Sequence, residues 1–368
     1  MEKNDEIQTK IVDVTPYISE THPDEAAMAH LLQESAKCLQ KGGLVAFPTE
    51  TVYGLGADAL NEAASRRIYG AKGRPSDNPL IVHIADVKDL EVLAYTNETA
   101  NILAESFWPG PLTMVLPKKD VVPYTTTGGL DTVAIRMPSH PAALSLIRES
   151  GVYVAAPSAN TSGRPSPTKA SHVIEDMMGK IDYIIDGGPV GIGIESTIVD
   201  LSGEKPTILR PGFITKAMLE ESIGTVEIDP ALERPMDGFR PKAPGMKYTH
   251  YAPKGELTLV ETSDLNIDAH VIEKIKELTK EKKNEGYRVG IMASEENVDY
   301  YKDCGDVIVC VGRRQERGTV ASRLYAALRE FDAAGVDYIY AESFRGDGLS
   351  YAIMNRLLKA AGQRVIRL

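Results

Sequence analysis

The stretch FPTETVYGLGADA, Phe47–Ala59, decides how the first half of the chain is read. The apolar run LVAF (Leu44–Phe47) has the length and composition of a buried strand, and Pro48 closes it. Polar Thr49, Glu50 and Thr51 come next, then Tyr53, Gly54 and Gly56. Hydroxyls and a carboxylate at the C-terminal end of a strand, followed by glycines that let a ligand approach the backbone, make a binding lip. The same residues also suit an ordinary strand-to-helix turn.

Working outward from that stretch, the residues before it predict a helix from about Asp24 to Gln40. Asp24 is its N-cap, Met28, Leu31, Leu32 and Leu39 share a face, and Gly42-Gly43 ends it. After it, further strands are expected over Pro79–Ile84, Leu112–Leu116, Thr132–Met137, Val152–Ala156, Tyr183–Asp186, Ser196–Leu201 and Thr207–Arg210. Helical stretches lie between several of these, at Glu62–Tyr69, Asn97–Phe107, Pro141–Glu149 and Lys169–Met178. The mixture predicts an α/β or α+β domain on a twisted, mostly mixed sheet over residues 1–224. From 225 to 254 five prolines and no helical or strand period mark a linker or a functional loop. From 255 to 368 apolar strands alternate with amphipathic helices, which predicts a smaller Rossmann-like, doubly wound parallel domain with Val365–Leu368 as an edge strand. That domain carries neither GxGxxG nor GxxxxGK[ST], so its sequence gives little support to nucleotide binding there.

At 368 residues, two domains are the natural expectation. The polar start and the absence of any apolar run near the ~20 residues of a membrane span predict a soluble, cytoplasmic protein with no membrane partner. Cys38, Cys304 and Cys310 have no CxxC spacing and read as reduced, mostly buried thiols, with no metal site expected. The net charge is −11; residues 255–368 hold 17 basic and 19 acidic residues, so −9 falls on the first 254. An acidic domain with local basic motifs suits a small anionic ligand better than a polyanion.

Those basic motifs are few. In KGRPSDNPLIVH, Lys72 and Arg74 sit in a turn set by Gly73 and Pro75, with Asn78 and His83 beyond; two cations on a stiff loop suit a triphosphate, or are a solvated basic loop. Arg136 lies in the apolar strand TVAIRM, where a lone charge is costly. It pairs with a carboxylate such as Glu50 or Glu195, or waits for an anionic substrate. AAPSANTSGRPSPT brings Ala156, Ser158, Asn160 and Ser166 out of a buried strand, a composition whose backbone amides can wrap a phosphate or adenosine, though standing alone it reads as a plain Ser/Pro surface loop. GIESTIVDL places Glu195 and Ser196 at a strand entrance and ILRPG places Arg210 at a strand exit. No Ser-His-Asp or Cys-His arrangement and no HExxH spacing occurs. The pattern is that of a site that binds and orients anions without a protein nucleophile.

In this order the segments PTETVYGLG, KGRP with NPL and His83, the Arg136 strand, PSAN, ESTIVD and LRPG resemble the YrdC-type threonylcarbamoyl-AMP synthases over residues 25–215. The constellation Lys72, Arg74, Ser158 and Asn160 is similar to that family's signature, and APGMKYTHYAP with the α/β tail resembles its two-domain members. The resemblance implies synthesis of threonylcarbamoyl-AMP and pyrophosphate from L-threonine, bicarbonate or CO₂, and ATP with Mg²⁺. It implies that Thr51, His83, Arg136, Ala156 and Ser196 hold threonine. Lys72, Arg74, Asn78, Thr132, Ser158, Asn160, Ser166, Arg210, Tyr248 and Tyr251 would hold ATP, with Lys72 and Arg74 catalytic by charge. It further implies hand-over of the product to a transferase that modifies the adenosine beside the anticodon of tRNA, with weak direct tRNA contact. A module that binds double-stranded RNA or tRNA without catalysis is the alternative.

Overall fold

In the computed structural model of the chain, the residues described are 7–18, 23–232, 242–244, 251–262 and 269–368. The chain divides into two compact units. The first comprises residues 1–162, 166–191 and 195–247; the second comprises 163–165, 192–194 and 248–368.

The first unit is built on one mixed sheet. Its strands are β1 (Lys10–Asp13), β2 (Val45–Phe47), β3 (Gly54–Asp58), β4 (Ile81–His83), β5 (Leu112–Pro117), β6 (Thr132–Arg136), β7 (Val154–Ala155), β8 (Tyr183–Asp186), β9 (Thr197–Asp200), β10 (Thr207–Arg210) and β11 (Glu227–Ile228). They lie in the order β1-β8-β2-β3-β7-β4-β6-β5-β9-β10-β11. Most strands fall where the apolar runs predicted them. The alternative reading of this stretch is corrected: GLGAD is not a turn into a helix but a strand, β3, folded back antiparallel on β2 with Phe47 opposite Gly54 and Val45 opposite Gly56. Glycine is needed there by packing, since a Cβ on Gly56 would lie 2.7 Å from Val154 Cγ1 and 2.8 Å from Phe47 Cε1. β1 and β11 are short strands that apolar periodicity does not flag, and β11 lies inside the stretch expected to have no strand period.

Helices α1 (Glu25–Gln40), α2 (Glu62–Lys72), α3 (Leu90–Leu93), α4 (Glu98–Phe107), α5 (Pro141–Ser150), α6 (Ala170–Met177) and α7 (Lys216–Ile223) cover this sheet unequally. On one face Val82, Met114, Val133, Ile135 and Val199 pack under α2, α4, α6 and α7 in the main core. On the other, α1 and α5 pack on Val45, Phe47, Val154 and Ile185, at the β8-β2-β7 end. Further along that second face, Ile81, Val115, Ala134, Ile198 and Leu209 are covered by Ala243. Residues 242–244 of the linker thus belong to the first unit, with Ala243 fully buried and Lys242 ion-paired to Asp200 at 3.1 Å. Asp24 caps α1 by accepting from Ala27 N at 3.0 Å, and Asn61 caps α2.

The second unit holds an all-parallel sheet of β12 (Glu256–Glu261), β13 (Val289–Ala293), β14 (Val307–Cys310), β15 (Tyr338–Glu342) and β16 (Val365–Arg367), in the order β14-β13-β15-β12-β16. Helices α8 (Ala269–Asn284), α9 (Arg317–Ala334) and α10 (Leu349–Ala360) alternate with the strands, as the periodicity predicts. Cys38, Cys304 and Cys310 are free and only half-buried, a correction to the buried thiols expected. No described helix is long and apolar enough to cross a membrane.

Candidate active site

The sheet register builds the site. His83 on β4 pairs with Arg136 on β6, Arg136 pairs with Thr113 on β5, Thr113 pairs with Ile198 on β9, and Ile198 pairs with Arg210 on β10. Directly paired residues point to the same face of a sheet, so this row faces the side that α1 and α5 leave uncovered. The apolar patch under Ala243 adjoins the row: Ile81, Val115 and Ala134 lie two residues along from His83, Thr113 and Arg136, and Ile198 belongs to both.

Arg136 is buried and has three neighbours of the kind the sequence left open. Its Nη1 donates to Thr51 Oγ1 at 2.9 Å, its Nε donates to Gly110 O at 3.3 Å, and its Nη2 lies 2.6 Å from Glu50 Oε1. Glu50, rather than Glu195, is therefore the carboxylate partner. The 2.6 Å contact is an ion pair outside hydrogen-bond alignment, leaving Nη2 and Oε1 each without an aligned partner. A second carboxylate presented to Nη2 would find a donor already desolvated. Thr51 is held in turn by Thr49, whose Oγ1 lies 2.8 Å from Thr51 Oγ1 and donates to Val52 O at 2.7 Å. The PTET residues thus form a hydroxyl shelf over the β2–β3 turn.

His83 packs edge-on to Phe47, with Nδ1 3.1 Å from Ile81 O. Burial, reinforced by the Arg136 guanidinium, holds its pKa at about 3, so the ring is neutral at physiological pH. On the far side of Arg136, Thr113 Oγ1 and Ser196 Oγ lie 2.8 Å apart, and Arg210 donates from Nη2 to Ser196 Oγ and from Nε to Ser196 O, both at 3.0 Å. Arg210 Nη1 reaches Pro244 O at 3.5 Å, tying the linker to the row. Ser166 Oγ donates to Glu195 Oε1 at 2.6 Å, which joins the PSANTSGRPSP loop to the start of β9.

The basic turn is assembled by local rules. α2 ends at Lys72, and Gly73 takes the left-handed conformation (φ 61°) that terminates a helix. Lys72 is buried, and its Nζ donates to the carbonyls of Ser158 and Asn160, the latter at 2.5 Å. Ser158 Oγ donates to Asn160 Oδ1 at 2.5 Å. One ammonium therefore ties the KxR turn to the SxN loop, two motifs more than eighty residues apart. Arg74 is held by the carbonyls of Asn78 and Pro79, and Asn78 Oδ1 is buried without a hydrogen-bond partner. Ala156 is buried beside Gly54, and Thr132 begins β6 partly exposed. Tyr251 belongs to the second unit, buried against Tyr325 with ring centroids 5.1 Å apart; Tyr248 lies outside the described residues. Sequence reading passed over Thr113. A threonine inside the apolar run LTMVL was the available signal for Thr113, but β-branched residues are too common in strands for it to stand out. No three His, Cys, Asp or Glu side chains among the described residues are placed to hold a metal ion.

A mixed-sheet domain that collects cations and hydroxyls for anionic ligands, joined to a parallel α/β domain, defines a two-domain YrdC-type enzyme. Residues 37–212 match the Sua5, YciO and YrdC family model, described as telomere recombination, and residues 214–362 match the threonylcarbamoyl-AMP synthase C-terminal domain. The chain belongs to the threonylcarbamoyl-AMP synthase family. It is 52% identical to the threonylcarbamoyl-AMP synthase of Bacillus subtilis, over 97% of this chain and 98% of that one. It is 41% identical to the Schizosaccharomyces pombe threonylcarbamoyl-AMP synthase, over 86% and 84%. The crystal structure of P. abyssi Sua5 complexed with L-threonine superposes with a TM-score of 0.89 at 48% identity, covering 98% of this chain and all of the other.

Proposed function

We propose that this chain condenses L-threonine, bicarbonate or CO₂, and ATP into threonylcarbamoyl-AMP and pyrophosphate. The observation that carries the reading is the row His83–Arg136–Thr113, set on adjacent strands and extended by Ser196 and Arg210, with the Lys72–Asn160 tie as a second cluster. An amino-acid carboxylate suits Arg136 Nη2, with Thr51 and the neutral ring of His83 beside it and the backbone at Ala156 below. The threonine amine takes up CO₂ as a carbamate, and a carbamate oxygen attacks the α-phosphorus as pyrophosphate leaves. Asn78, Thr132, Ser158, Asn160, Ser166 and Arg210 are assigned to ATP, while Lys72 and Arg74 offset charge on the phosphates. The domain limits 1–224, 225–254 and 255–368 go with this assignment. Such a reaction needs positioning and electrostatics more than a protein nucleophile. Magnesium is read as part of the substrate, MgATP.

The product would pass to a transferase that modifies tRNA beside the anticodon, and a cytoplasmic location follows from that role. Steady-state pyrophosphate release tests the reading: release should require threonine and bicarbonate together and no tRNA. Sub-micromolar RNA binding with a steep salt dependence and no pyrophosphate would overturn it in favour of an RNA-binding module.

A further inference from the structure

Ser196 is fixed at its backbone before anything touches its side chain. Arg210 Nε donates to Ser196 O at 3.0 Å, and Thr197 N donates to Pro111 O at 3.0 Å. Gly212 presses on the same peptide: a Cβ there would lie 2.5 Å from Thr197 N and 2.8 Å from Glu195 O. Arg210 reaches this place through an irregularity in register, since Ile208 pairs with Val199 but Arg210, two residues on, pairs with Ile198. In a regular antiparallel ladder Arg210 would stand opposite Thr197 and face the main core with Ile208. The β-bulge turns it onto the face of Ser196.

What the backbone leaves open is the direction of the Ser196 hydroxyl. Thr113 Oγ1 lies 2.8 Å from Ser196 Oγ, and both residues are fully buried. Ser196 Oγ also accepts from Arg210 Nη2 at 3.0 Å. The two hydroxyls hold two hydrogens; one lies between the oxygens, and the other has no acceptor among the described residues. The pair therefore offers one spare donor. It stands between two guanidiniums, because Thr113 is paired across the sheet with Arg136 and Ser196 is held by Arg210. The acceptor that suits such a place is an anionic oxygen. Polarised by the arginine, the Ser196 hydroxyl is the stronger donor of the two and goes to the anion, while Thr113 donates to the second lone pair of Ser196.

We infer that Thr113 is a positioning residue for the threonine-derived substrate. Its hydroxyl holds that of Ser196 so that Ser196 donates to an anionic oxygen where the ligand of Arg136 meets the ligand of Arg210. This rests on the proposed reaction, which assigns Arg136 and Ser196 to threonine and Arg210 to ATP. Packing alone would favour valine at this position. A valine fits the same space in LTMVL with a methyl in place of Oγ1, and it buries no hydroxyl. The use of the hydroxyl is its bond to Ser196.

The test follows pyrophosphate release by the full-length chain and by Thr113→Val, Thr113→Ser, Ser196→Ala and Thr113→Val/Ser196→Ala, with threonine and MgATP varied in turn. Thr113→Val should lower kcat/KM for threonine about tenfold, the loss expected for one misdirected hydrogen bond to an anion, while the ATP KM moves less than about twofold. Thr113→Ser keeps the hydroxyl and should stay within about threefold of wild type. In the Ser196→Ala background Thr113→Val should change kcat/KM by less than about twofold, because no hydroxyl is left to aim. Wild-type kinetics in Thr113→Val, an equal loss in Thr113→Ser, an equal rise in both KM values, or the same tenfold loss in both backgrounds would overturn the inference. Should Thr113→Val fail to fold, Thr113→Ala takes its place in the cycle under the same limits. Wild-type protein that binds threonine by calorimetry but releases no pyrophosphate refutes the proposed reaction. The threonine Kd then replaces kcat/KM in the same comparison and judges Thr113 separately.

Discussion

Arg136→Gln is the perturbation whose consequences are best defined by the geometry. Glutamine retains a donor toward Thr51 but removes the cation that faces Glu50 and, in the proposed complex, the threonine carboxylate. At the observed 2.6 Å the gross attraction between Arg136 and Glu50 is about 6 kcal/mol at an effective dielectric of about 20, most of it offset by the desolvation of both charges. An incoming carboxylate therefore exchanges one partner for another at a guanidinium whose desolvation is already complete. Its affinity should reflect about two charge-assisted hydrogen bonds, on the order of 3 kcal/mol. At about 1.4 kcal/mol per decade, the threonine KM in Arg136→Gln should rise by about two decades. The ATP KM should move by less than threefold, because the second cluster is organised by Lys72. The assay is pyrophosphate release with each substrate varied in turn, with thermal melting in parallel. Melting should fall in the single variant, since the shielded Glu50 Oε1 is left without its cation, and should recover in the double variant Arg136→Gln/Glu50→Gln. A threonine KM raised less than threefold, or an equal rise in both KM values, would refute the assignment of Arg136 to the carboxylate.

Other outcomes follow from the same structure. Ala243→Asp puts a carboxylate against Ile81, Val115, Ala134, Ile198 and Leu209, so it should lift the linker from the sheet and lower kcat/KM by about tenfold with the melting temperature little changed; wild-type kinetics would exclude the linker from the site. Gly56→Ala should cost about 2 kcal/mol and roughly 5 °C in Tm, read by calorimetry, because its Cβ meets Val154 and Phe47. Acid should destabilise the fold from about pH 6.5 downward. Burial holds His83 near pKa 3 and His140 near 4, so the unfolded chain takes up protons that the folded chain refuses. Stability is then complete above pH 6.5 and is lost toward pH 3–4, at up to about 1.4 kcal/mol per pH unit for each histidine. Denaturant titrations across that range should show His83→Gln with a shallower slope than wild type, and identical slopes would contradict a neutral buried His83. Cys38, pushed up to about 11 by burial and by Asp182, should react with Ellman's reagent much more slowly than an exposed thiol at pH 8.

Much of this protein is determined by its sequence alone. The alternating apolar runs and helices of residues 255–368 specify a parallel sheet because periodicity is a local property, set by which face of each segment must be dry. The same holds for the caps at Asp24 and Asn61 and the glycine stop at Gly73, where each signal acts within one helical turn. The candidate site residues were picked from composition: polar residues at strand ends, and an arginine in an apolar strand. Tertiary structure alone decided the rest. GLGAD became a strand because Phe47 and Val154 demand glycine at a pairing face, which no propensity for glycine in strands would suggest. Arg136 chose Glu50 over Glu195 through the β2–β3 hairpin that carries Glu50 back over β6. The row from His83 to Arg210 exists only through the register of five strands drawn from across 130 residues, and Ala243 of the linker packs beside it because the apolar residues on that face need covering. Cross-strand register and face coverage are set by long-range packing, and a one-dimensional pattern records which residues must be buried without recording against what.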